Sequence, residues 1–109
     1  MHAGSMGFQA GETHTVVCTE PCGGAVWGCP QNSGWLTHDS TICRAAEMLT
    51  IPLGTPFQVV MTGSQTSYPS CTMNGITSST WGNWHISYRI DLGKSLKSNV
   101  AKSDAVLII

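Results

Sequence analysis

A chain of 109 residues is one domain's worth of sequence, long enough for a modest core and too short for two. Only 10% of the residues are charged and the formal net charge is −1, which excludes a basic nucleic-acid-binding surface and a highly charged disordered chain. No apolar run approaches the ~20 residues that span a bilayer.

Residues 1–11 are glycine-rich and lack the apolar stretch of a signal peptide. They are expected to be a disordered N-terminal segment, an added remnant, or the cut edge of a larger protein. His14 to Cys18 has β-branched character and reads as a strand. Pro21-Cys22-Gly23-Gly24 reads as a turn, Ala25 to Gly28 as a second short strand, Cys29 to Gly34 as a loop, and Trp35-Leu36-Thr37 as extended. The period then changes. Ile42, Ala45, Ala46 and Leu49 fall at i, i+3, i+4 and i+7, the stripe of one helix over about residues 40–50. Asp39 or Ser40 is expected to cap it. Pro52 marks where it must have ended.

Pro56 to Thr62 is the clearest strand, with Phe57, Val59 and Met61 on one face. Gly63 to Pro69 is a polar loop, Asn74-Gly75 a turn pair that tolerates positive φ, and Thr80 to Asn83 another loop. His85 to Asp91 alternates, with Ile86, Tyr88 and Ile90 on one face and His85 exposed. One central helix among several short, mostly antiparallel strands is an α+β fold.

Charge divides the chain near Gly93. Lys94, Lys97 and Lys102 all follow it, while residues 1–93 hold Arg44 and Arg89 against Glu12, Glu20, Asp39, Glu47 and Asp91, a formal charge of −3. The compact unit is therefore placed at 12–93. Residues 94–109 read as a C-terminal extension whose apolar end, Ala105 to Ile109, is expected to be an added strand or a face needing further sequence.

Five cysteines in a short, turn-rich, uncharged chain point to disulfides and one odd thiol. A zinc site from Cys18, Cys22, Cys29 and Cys43 has only one close pair where two are usual. A redox pair would need Cys-x2-Cys at a helix start, and the spacing is x3. His14, His38 and His85 are not placed beside a thiolate by anything in the sequence. No catalytic residue, metal or cofactor is expected. Four Trp are many for this length. Trp27, in an apolar segment, is expected in the core, Trp81 as a lid over it, and Trp35 and Trp84 as candidate ligand contacts.

Two segments taken together carry a resemblance. One is Val26-Trp27-Gly28 followed by Trp35-Leu36-Thr37-His38-Asp39-Ser40-Thr41-Ile42-Cys43-Arg44-Ala45-Ala46. The other runs from Tyr68 through Asn74-Gly75-Ile76 to Trp81-Gly82, Trp84 and Ser87-Tyr88. Over about residues 14–92 the chain resembles the LCCL domain. The resemblance implies a non-enzymatic extracellular or secreted module, attached to other domains in matrix, host-defence or cell-surface proteins, with lipid or glycan (lipopolysaccharide-like) ligands. The alternative is a structural module that holds neighbouring domains or chains without a small ligand. The family's His and Gly after Ala45-Ala46 are replaced by Met48 and Thr50. The resemblance pairs Cys22 with Cys43. Cys29 and Cys71 are additional to the family pattern and are expected as a second pair, which leaves Cys18 odd and free to link a partner chain. Cys18–Cys71 and Cys18–Cys29 stay open as alternatives.

Overall fold

The computed structural model describes residues 2–21, 23–92 and 106–109. Five strands form one sheet: β1 (Thr13–Val17), β2 (Leu36–Thr37), β3 (Phe57–Thr62), β6 (Ser87–Asp91) and β7 (Val106–Ile108), in the order β2-β6-β3-β1-β7. A small hairpin, β4 (Thr72–Met73) and β5 (Ile76–Thr77), lies apart from it, and helix α1 spans Ile42–Met48. All pairings are antiparallel except β1 with β7. The α+β arrangement of one helix among short strands is the one the periodicities predict.

The core lies where the apolar stripe of α1 meets the inward face of the sheet. Ile42, Ala45, Ala46 and Met48 from the helix form one buried cluster with Val16, Leu36, Phe57, Val59, Met61, Tyr88 and Ile90. The alternation predicted for β3 and β6 holds. Tyr88 is wholly buried; its hydroxyl donates to the Ser40 carbonyl at 2.8 Å, and burial pushes the phenol above its ordinary range.

Three local expectations are corrected. The helix is shorter than 40–50, and its N-cap is Thr41, with no side-chain capping bond. Ser40 is fully buried and its hydroxyl serves the chain beside it instead, accepting from Trp27 N–H at 2.9 Å and meeting Thr37 Oγ1 at 2.9 Å. A buried hydroxyl takes the partners in reach. Residues 25–28 form no regular strand. They make single bridges, Trp27 to Ser79 and Gly28 to Leu36, because Gly28 has φ +110° and ends the extended run. Residues 2–11 fold against the domain: Ala3 and Phe8 are buried, Gly4 N–H donates to His38 O, and Phe8 stacks on His14 at 3.7 Å. Two apolar side chains at the right spacing suffice to seat a glycine-rich segment.

The helix ends in a double closure. Thr50 N–H donates to Glu47 O and Ile51 N–H to Ala46 O, with Thr50 at φ +57°. This is the left-handed C′ position that glycine favours. The Asn74-Gly75 turn forms as predicted, with φ +51° and +74°, and Asn74 Nδ2 donates to Glu47 O at that helix end.

Two disulfides tie the layers. Cys29 bonds Cys71, the pair expected from the two additional cysteines. Cys43 bonds Cys18, 25 residues away, not Cys22. Cys18 follows β1 directly and is buried beside α1, so sheet and helix bring these two sulfurs together. Cys18 is therefore not the odd cysteine. Cys22 lies outside the described residues, as do residues 93–105. Beyond them Val106–Ile108 pairs with Thr15–Val17, and Thr19 N–H donates to Ile109 O.

Candidate functional site

Three of the four tryptophans converge. Trp27, Trp81 and Trp84 line a cavity of about 90 Å³ with Thr37 and Asp39. The indoles meet edge to face: Trp27 and Trp81 have ring centroids 6.3 Å apart at 66°, and Trp81 and Trp84 are 6.0 Å apart at 77°. Successive walls thus stand roughly perpendicular. Trp81 is 45% exposed, and Trp27 and Trp84 are half-buried.

The backbone fixes each wall. Trp27 is held between Ser40, whose hydroxyl touches both its N–H and its carbonyl, and Thr37, whose N–H donates to Trp27 O at 3.1 Å. Two residues on, Cys29 anchors that segment to Cys71. Trp81 and Tyr68 exchange both backbone bonds, at 2.9 and 3.0 Å. Trp84 and Gln65 do the same at 3.2 Å. The loops 63–69 and 80–84 are thereby zipped together although neither forms a regular strand. Tyr68 locks them to the sheet: its buried hydroxyl meets Ser87 Oγ on β6. Thr37 and Asp39 follow from β2 and the turn into α1, so the sheet edge and the helix start set the polar side of the cavity.

Gly28 explains why glycine follows the tryptophan. A Cβ there would lie 2.5 Å from Trp35 O, at a φ of +110°. The close approach of Gly28 to Trp35 and Leu36 carries Trp27 into register with Thr37.

Of the two predicted contact residues, Trp84 lines the cavity and Trp35 does not. Trp35 is covered by Arg89, whose guanidinium carbon sits 5.5 Å from the ring centroid. That cation–π contact occupies the face expected to be free. Sequence reasoning gave Trp27 to the core and Trp81 to a lid, and it reserved Asp39 for helix capping. All three line the cavity. The Trp81-x2-Trp84 spacing was the available signal, but the Tyr68 and Gln65 bridges that aim both rings come from another loop.

Three of the four histidines sit on the flank of the site. His38 and His85 rings are 5.8 Å apart, His85 lies 5.2 Å from Trp84, and His2 Nδ1 is 3.9 Å from Asp39 Oδ1. His38 is half-buried, with Nε2 at 3.3 Å from Phe8 O. The four sulfurs of Cys18, Cys29, Cys43 and Cys71 are paired, which removes three of the four thiolates of the rival zinc reading. Among the described residues no helix is long and apolar enough to cross a membrane.

No curated protein matches the chain. The profile of the LCCL domain matches residues 2–88, which takes in the N-terminal segment, both disulfides and all four tryptophans. LCCL domains are extracellular modules of larger proteins, and two disulfides are consistent with that location. The match covers most of the 109 residues, and the chain belongs to the LCCL domain family.

Proposed function

We propose that this domain is a non-catalytic extracellular binding module that recognises a lipid or glycan surface component through the Trp27–Trp81–Trp84 cavity. The observation that supports this reading is the cavity itself: three indoles with a carboxylate and a hydroxyl on one side. Ligand sites are mostly apolar and aromatic, with a few polar groups that fix orientation. The walls are set by backbone bonds before any ligand arrives, so little ordering remains to oppose binding.

The competing reading is a structural module that holds neighbouring domains, or that cross-links chains through a free Cys18. Cys18 is bonded to Cys43, which closes the second of these routes. The test is binding of the wild-type domain and Trp84→Ala to lipopolysaccharide, soluble polysaccharides and vesicles of zwitterionic or anionic lipid, with the fold checked by circular dichroism. Saturable binding of one class, weakened at least tenfold by the substitution, supports the reading. Equal binding by both proteins, or none by either, overturns it.

A further inference from the structure

We infer that the group seated between the tryptophans is a quaternary ammonium, the trimethylammonium end of a choline-type headgroup. The inference rests on the reading of this cavity as the binding site and names the chemistry it selects. Stacking on a sugar needs one flat, open aromatic face. Here successive indoles stand at 66° and 77° to one another. Perpendicular walls enclose a compact tetrahedral group rather than support a flat ring. The cavity, about 90 Å³, is small beside the several hundred Å³ of sites that take whole drug-sized ligands. Its size suits a compact headgroup.

Charge points the same way. The face of an indole is the negative pole of its quadrupole, and tryptophan is the strongest aromatic partner for a cation. Asp39 adds a carboxylate to the wall, and Thr37 adds a hydroxyl. Neither arginine of the described chain intrudes: Arg44 pairs with Glu47 at 3.7 Å, and Arg89 lies over Trp35. A trimethylammonium has no N–H, so it needs no hydrogen-bond acceptor and gives up less on leaving water than a primary ammonium does. An ammonium of the ethanolamine type keeps three N–H donors, and the cavity offers only Asp39 and Thr37 beside its three indoles to receive them. The cavity therefore discriminates between two headgroups that differ only by methylation.

The experiment titrates the full chain with phosphocholine, following tryptophan fluorescence and calorimetric heat. Phosphoethanolamine and 3,3-dimethylbutyl phosphate, whose tert-butyl end is the uncharged isostere of the trimethylammonium, serve as comparators. The expected result is saturable phosphocholine binding, with both comparators weaker by about tenfold or more. Trp81→Ala should abolish measurable binding, and Trp81→Phe should restore part of it. Asp39→Asn should weaken binding several-fold while leaving the neutral isostere unaffected. Trp81 is 45% exposed and the Asp39 side chain 44% exposed, so these variants keep the core. Vesicles of phosphatidylcholine against phosphatidylglycerol identify the source. Binding to the former marks a lipid headgroup, and binding to soluble phosphocholine alone marks a choline ester carried on another molecule.

Equal affinity for the uncharged isostere overturns the choice of a cation. Failure to bind phosphocholine, while the wild type binds a polysaccharide or another lipid in a Trp84-dependent way, overturns this inference and leaves the binding-module reading standing. Failure to bind any of these ligands overturns both.

Discussion

Removing the Cys18–Cys43 bridge tests the link between sheet and helix most directly. The double substitution Cys18→Ala/Cys43→Ala opens a loop of sequence separation 25. The chain-entropy relation gives about 3.5 kcal/mol for a loop of that length. Both side chains are buried, at 5% and 2% exposure, so the lost sulfurs also leave small voids that add to the cost. Against a total of about 5–15 kcal/mol for a domain, this is a quarter or more of the stability. The midpoint of thermal unfolding should fall on the order of 15 °C. Cys22→Ala removes no cross-link, since the other four sulfurs pair with one another, and should shift stability by no more than about 0.5 kcal/mol. The assay is urea unfolding followed by tryptophan fluorescence, with peptide mapping of the unreduced protein to identify the bridges. A double variant as stable as the wild type refutes the reasoning, and so does a Cys22→Ala variant that loses about 3 kcal/mol.

Three further outcomes follow from particular residues. Thr50→Gly should stabilise the domain by about 0.5–1 kcal/mol, because a β-branched residue at φ +57° carries strain that exceeds the extra unfolded-state entropy of glycine; calorimetric melting checks the sign. Gly28→Ala should destabilise by about 2 kcal/mol or more and disturb Trp27, because its Cβ would meet Trp35 O at 2.5 Å with φ at +110°; a denaturation curve and the tryptophan emission spectrum report both effects. Above pH 10 the unfolded chain loses the Tyr88 proton while the native state keeps it, so this residue's contribution is intact below pH 10 and declines above it by about 1.4 kcal/mol per pH unit. Tyr88→Phe should remove that slope in unfolding measured from pH 8 to 11.

What the sequence by itself determined is local. The i, i+3, i+4, i+7 stripe is α1, the alternation of Phe57, Val59 and Met61 is the buried face of β3, and Asn74-Gly75 is the hairpin turn, because each pattern is written in neighbouring residues. The family was legible for the same reason, as two runs of contiguous motif. The tertiary structure alone decided which sulfur meets Cys43. The strand β1 delivers Cys18 to α1, and spacing along the chain carries no record of that approach. It also decided which tryptophans act together. Trp27 comes from one segment and Trp81 and Trp84 from another, aimed by Ser40, Tyr68 and Gln65, whereas Trp35 is covered by Arg89 across the β2–β6 edge. A site assembled by hydrogen bonds between loops far apart in sequence has no period for a sequence to display, so its residue types are visible in advance and its geometry is not.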